Sequence, residues 1–349
     1  MYNNKLYIKD LELISNEINI KDISNAKILV AGASGLIGSF LVDLLMFCNE
    51  KYSSNTRIYA LGRDYTNLKI RFKTHFGKKY FHIIEHDINH QLKYNVNFDF
   101  IIHAAGNAYP KVFSEDPVGT ILSSINGTYN LLSYAKEHGT NRFLYISTGE
   151  IYGQGDTYNT GFKETDSGYV DITNPRACYP SGKRAAETLC ISFMKQYNLD
   201  VVIARPCHVY GPTATSKDNR VTAQFVNSAI NSNIIIMKSK GLQLRSYCYV
   251  ADCSSAIMKI LFYGETGNPY NIENPNSRVT IREIAEIIKS ITGSKIIFDL
   301  PSKEEAGSFN PVSKSILNAN KLMDLGWNAH YDIKHGIENT IKIYQSIMK

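Results

Sequence analysis

The chain has 349 residues, of which 44% are hydrophobic and 20% charged, and carries a formal net charge of +6. This is enough to bury a sizeable core, and its mild, scattered positive charge suits an anionic small molecule while falling short of the dense basic face that nucleic acid requires. No apolar stretch nears the ~18 residues that cross a bilayer. Asp10, Glu12, Glu17 and Asp22 are foreign to a secretory leader, so a cytoplasmic protein without membrane or nucleic-acid partners is expected. The six cysteines (Cys48, Cys178, Cys190, Cys207, Cys248, Cys253) form no C-x-x-C pair and no Cys/His cluster at ligand spacing, so reduced thiols and no metal site are expected.

Residues 1–26 place Leu11, Ile14 and Ile18 at helical spacing and read as an N-terminal extension. From Lys27 the pattern changes. Ile28-Leu29-Val30-Ala31 is a short apolar run, followed by Gly32-Ala-Ser-Gly35 and then by apolar-periodic residues from Leu36 to Phe47. That is strand, glycine turn, helix. Further strands are expected at Arg57–Leu61, Phe81–Ile84, Phe98–His103, Phe143–Ser147 and Val201–Ala204, with helices at Thr120–His138 and Gly182–Tyr197. Strands alternating with helices predict an α/β fold, a Rossmann-like doubly wound parallel sheet over 27–204. Residues 205–349, with helices near Ala223–Asn231, Asp252–Phe262 and Ile281–Ile291, read as a smaller substrate lobe packed closely on it.

Gly32, Gly35 and Gly38 have the spacing of a dinucleotide turn. Gly32 permits the tight turn, Gly35 lets the backbone approach a pyrophosphate, and Gly38 lets the helix pack on the strand. The helix opening at Ser34, Leu36 and Ile37 offers free N–H groups to phosphate. At the end of the second strand, where an acidic residue would hold an adenosine ribose, stand Gly62 and Arg63, followed by Asp64. Arg63 either pairs with a 2′-phosphate, which favours NADP, or merely stacks on adenine, whereas Asp64 keeps NAD open. Asp87, beside Ile88, either receives the adenine amino group or caps a helix.

Tyr179 and Lys183 lie four apart at the start of a helix, which puts both on one face. An ammonium close to a phenol favours phenolate and makes the tyrosine a base. Pro180 fits a first helical turn.

The glycine turn, His103-Ala-Ala, Ser147-Thr-Gly-Glu150-Ile-Tyr-Gly, Tyr179-x-x-x-Lys183, Arg245-Ser-Tyr and Leu325-Gly-Trp327 occur in the order and approximate spacing of the extended short-chain dehydrogenases/reductases, which the chain resembles from Lys27 to Tyr344. Within that superfamily, Pro175-Arg-Ala-Cys-Tyr-Pro-Ser-Gly-Lys-Arg-Ala-Ala-Glu-Thr-Leu189, Arg220-Val and Arg245-Ser-Tyr-Cys-Tyr-Val250 look most like UDP-glucuronate decarboxylases. The resemblance implies a nucleoside-diphosphate sugar substrate whose C4 is transiently oxidised by NAD(P). It makes Tyr179 the base, Lys183 its partner and a cofactor-ribose contact, and Thr148 a hydrogen-bond partner of the reacting oxygen. Glu150 would serve C5 or C6, and Arg245, Arg220 and His208 would line the substrate. Ile88, Ala104 and Ala105 join the cofactor contacts, and a homodimer forms through Thr120–His138 and Gly182–Tyr197, unless the N-terminal extension covers that surface.

The chain departs from the decarboxylase pattern in several places. Thr148-Gly149-Glu150 replaces Thr-Ser-Glu, and the Thr-Asp-Glu of dTDP-glucose dehydratases is also absent. His208 replaces an asparagine that touches the diphosphate, and it reads either as a phosphate donor or as a hydrogen-bonded core histidine. Thr213 replaces an arginine. Ser124 replaces an asparagine that supports the active site, and Asn126 points elsewhere on the helix. Decarboxylation, 4,6-dehydration and epimerisation all stay open, as does a non-catalytic dinucleotide sensor.

Overall fold

Strand β1 (Lys27–Ala31) is buried at its last four positions, as expected for a strand covered by helices on both faces. This computed structural model describes residues 1–155, 160–300 and 313–348. Strands β2 (Arg57–Gly62), β3 (Phe81–Glu85), β4 (Phe100–His103), β5 (Arg142–Ile146) and β6 (Val201–Pro206) follow within a residue or two of their expected places. Helices α3 (Leu36–Tyr52), α4 (Tyr65–Arg71), α5 (Pro110–Glu115), α6 (Pro117–Glu137) and α7 (Cys178–Tyr197) alternate with them.

The sheet is parallel, in the order β10-β6-β5-β4-β1-β2-β3. The order reverses between β1 and β4, and ligands of such sheets bind at the carboxyl ends of strands beside that switch point. Its seventh strand, β10 (Pro269–Ile272), comes from beyond residue 205, so the later part of the chain completes the first sheet.

Further elements are α2 (Ile20–Ile23), β7 (His208–Tyr210), α8 (Val221–Ser232), β8 (Ile234–Met237), β9 (Leu244–Tyr249), α9 (Val250–Tyr263), β11 (Arg278–Thr280), α10 (Ile281–Thr292), β12 (Lys295–Phe298), β13 (Lys314–Ser315), a short helix at Asn320–Met323 and a C-terminal helix, Ile333–Met348. Strands β7, β11 and β13 each pair with β9, which places Arg245 and Tyr247 among three neighbouring segments.

The N-terminal extension is an integral part of the core. Helix α1 (Lys5–Ser15) buries Tyr7, Leu11 and Ile14 completely. Its Tyr7 hydroxyl donates to Asp43 on α3 at 2.7 Å, and its buried Asp10 accepts from Tyr249 at 2.6 Å and Tyr331 at 2.7 Å. The extension therefore ties the sheet's helical layer to the later lobe, and it does not cover the α6/α7 surface. Among the described residues no helix is long and apolar enough to cross a membrane.

Candidate active site

The turn after β1 is built as its glycines demand. Gly32 has φ of +79°, and a Cβ there would lie 2.6 Å from the Ala105 backbone. A Cβ on Gly38 would strike the Gly32 carbonyl, whereas Gly35 has nothing nearer than that carbonyl at 3.3 Å. Two glycines thus permit close packing, and the third leaves the mouth of α3 open for a phosphate. Ser34 and Ile37 are half-buried at this mouth. Thr213, in place of the expected arginine, is buried and donates its hydroxyl to the Leu36 carbonyl at 2.7 Å. The bond ties the later lobe to the start of α3.

After β2, Arg63 is exposed, and the Asp64 carboxylate caps α4 by accepting from Asn67 N–H at 2.9 Å. Asp87 does not cap a helix. It accepts from Asn89 N–H at 3.0 Å in a turn. Ile88 buries its side chain in the core against Gly127 and gives its carbonyl to Asn130.

Ala104 and Ala105 after β4, Thr148 and Glu150 after β5, Tyr179 and Lys183 on α7, and His208 on β7 surround a cavity of about 140 Å³. A larger cavity of about 630 Å³ is lined by Glu150, Arg176, His208, Arg220 and Arg245. Glu150, His208 and Arg220 line both, so they stand where the two cavities meet. The structure brings the sequence-derived catalytic and substrate residues together; Arg63 and Asp87 line neither cavity.

Burial pushes the Tyr179 phenol up to about 12, and the Glu150 carboxylate pushes the same way. Thr148, Arg220 and Arg176 oppose the rise. Lys183 is not among the leading contributions to this pKa. The Lys183 ammonium donates to the Ile146 carbonyl at 2.8 Å and lies 4.7 Å from the centre of the Tyr145 ring, and its own pKa is lowered to about 8 by burial.

Arg176, quoted in the sequence run but given no role, forms an ion pair with Glu150 at 3.1 Å. The signal available was a basic residue just before Tyr179, in the 3-10 turn Pro175–Ala177. Arg220 pairs with the buried Asp218, and Arg245 is buried on β9.

The Nδ1 of His208 is buried without a hydrogen-bond partner among the described residues, and burial together with Arg245 and Arg220 lowers the pKa to about 3 against a backbone hydrogen bond with Ser246, so the ring is neutral. Ser124 is buried where α6 meets α7, and a Cβ on Gly182 would lie 3.1 Å from its own Cβ. The small side chain is what this close helix contact allows.

A family model described as the NAD dependent epimerase/dehydratase family matches residues 28–272. The chain belongs to this family. UDP-glucuronic acid decarboxylase 5 of Arabidopsis thaliana is 36% identical over 90% of this chain and 88% of that protein. Among solved structures, an epimerase from Methanothermobacter thermautotrophicus superposes with a TM-score of 0.81 at 19% identity, covering 96% of each chain. The dTDP-glucose 4,6-dehydratase of Bacillus anthracis, in complex with NAD, gives 0.76 at 21% identity, covering 92% of this chain and 97% of its own. With tyrosine, lysine and threonine assembled in one cavity, the protein is an enzyme of this family, and the reading as a non-catalytic sensor falls away.

Proposed function

We propose that the protein decarboxylates a nucleoside-diphosphate hexuronate, UDP-glucuronate being the first candidate, through transient oxidation at C4. The observation that carries this reading is the Arg176–Glu150 pair at the junction of the two cavities, with Arg245 lining the same space. Two guanidinium groups beside one carboxylate suit a sugar that brings a carboxylate of its own. A simple 4-epimerase needs no such acid. The name of the Arabidopsis relative points the same way.

The glycine turn fits a dinucleotide, with Gly32, Gly35 and Gly38 at its phosphates and Lys183 at its nicotinamide ribose. NAD, when bound, supplies an acceptor for the C4 hydride and gives the same hydride back. Tyr179 takes the C4 hydroxyl proton while Thr148 hydrogen-bonds the same oxygen. With a ketone at C4, the carboxyl group on C5 is β to a carbonyl, so carbon dioxide leaves and its electrons pass to the C4 oxygen. Tyr179 and Thr148 stabilise that oxygen as its charge grows. Glu150 manages the proton at C5, and Arg245 and Arg176 hold the anionic groups. Tyr179 returns its proton as C4 is reduced.

NAD is preferred to NADP. Arg63 is exposed, and Asp64, fixed as a helix cap beside it, sets a negative charge against a 2′-phosphate. A homodimer through α6 and α7 is supported by the exposed Val118, Leu122 and Tyr129 along α6, and sedimentation measures it.

The test is incubation with UDP-, dTDP-, GDP- and CDP-sugars, glucuronates included, followed by product mass. The reading requires loss of carbon dioxide from a nucleotide glucuronate. Loss of water or an unchanged mass from another sugar, with glucuronates returned intact, overturns it.

A further inference from the structure

The decarboxylase pattern carries a serine between its threonine and glutamate, and this chain has Gly149 there. A Cβ on Gly149 would lie 3.1 and 3.2 Å from the two methyl groups of Leu317, so a side chain there would press on a residue from a distant part of the chain, which would have to give by a few tenths of an ångström. Leu317 is firmly held. Its N–H donates to Ser246 Oγ at 3.2 Å, and its carbonyl accepts from Arg278 at 2.9 Å. On either side of it, the Ile316 carbonyl accepts from Phe162 N–H at 3.0 Å, and Asn318 N–H donates to the Phe162 carbonyl at 2.8 Å.

The segment that brings Leu317 also brings a hydroxyl. Side chains of an extended segment alternate, so Ser315 and Leu317 share a face, and both line the cavity that holds Thr148, Glu150 and Tyr179. Ser315 pairs with Arg245 in the parallel β13–β9 register. It is half-buried, and among the described residues its Oγ makes no hydrogen bond. A partly buried hydroxyl with no partner, in a cavity otherwise equipped for a sugar, is a group waiting for a ligand.

We propose that Ser315 donates a hydrogen bond to the carboxylate end of the substrate sugar, supplying from β13 a hydroxyl that position 149 lacks. The inference rests on the hexuronate reading above and adds a substrate-binding residue to it. Ser315 is thereby a specificity determinant: its neighbour in register is a cation, and the anion between them is the substrate's.

The experiment compares wild type, Ser315→Ala and Ser315→Thr, each with its bound NAD, for kcat and KM on UDP-glucuronate and for affinity toward UDP alone. NAD content and melting temperature serve as folding controls. A charge-assisted hydrogen bond predicts about a tenfold or greater fall in kcat/KM for Ser315→Ala, mostly in KM, with UDP affinity unchanged and most of the loss recovered in Ser315→Thr. A Ser315→Ala enzyme equal to wild type, or one that loses UDP affinity in the same proportion, overturns the role of Ser315 alone. A wild-type enzyme that leaves UDP-glucuronate intact while converting another nucleotide sugar overturns the hexuronate reading itself.

Discussion

Arg176 closes on the Glu150 carboxylate at 3.1 Å, so the acid beside the catalytic tyrosine is held as one half of an ion pair. Both partners act on Tyr179 with opposite signs: Glu150 raises the phenol's pKa and Arg176 lowers it. Glu150→Gln should move the acid limb of the pH–rate profile for C4 oxidation to lower pH, and Arg176→Met should move it higher. The profile is read from NADH absorbance in single turnovers. Shifts in the same direction would show that the pair does not act through Tyr179.

Glu150→Gln should also separate the two halves of the reaction. C4 oxidation needs Tyr179 and Thr148, so NADH should still form. Turnover to product should fall about 10²–10⁴-fold, the range expected for losing a positioned proton-transfer group. Product mass and NADH absorbance measured together test this, and equal losses in both would contradict the division of labour.

Gly149→Ser should lower both activity and melting temperature, because its side chain must displace the Leu317 methyl groups. Gly149→Ser combined with Leu317→Ala removes the conflict, so the double variant should melt higher than the sum of the two single changes predicts. Additive melting shifts would mean that the two positions do not compete for space.

Stability should fall as the pH drops from about 6.5 toward 3. His103 and His208 each have a folded pKa of about 3 against an ordinary 6.5, so between those values the unfolded chain binds protons that the folded chain refuses. Each histidine contributes up to about 1.4 kcal/mol per pH unit in that window. Asp252, raised to about 7 by burial, works the other way and favours the folded state as the pH falls from 7 to about 4. His208→Asn should therefore flatten the acid side of the melting-temperature curve, and a curve as steep as wild type would contradict a neutral buried ring.

The local features were legible in the sequence. Strand and helix periodicity, the glycine turn and the Tyr179/Lys183 spacing are written within a few residues of one another, and the structure places them as expected. What was hidden depends on chain segments that meet only after folding. The Arg176–Glu150 pair forms because the turn before α7 swings back over the end of β5. Leu317 and Ser315 reach the site from β13, and β10 joins the first sheet from beyond the expected domain boundary. The helix-capping role of Asp64 depends on where α4 starts, and the Ile146 carbonyl that accepts from Lys183 meets it only in the folded chain.

The most direct measurement follows the hydrogen at C4. UDP-glucuronate carrying deuterium at that carbon is incubated with the enzyme, and the product is weighed and examined by NMR. A hydride taken and returned within one active site predicts a product that has lost carbon dioxide and kept its deuterium at C4. A decarboxylated product with protium at C4, or carbon dioxide loss that persists unchanged in Tyr179→Phe, would contradict the account.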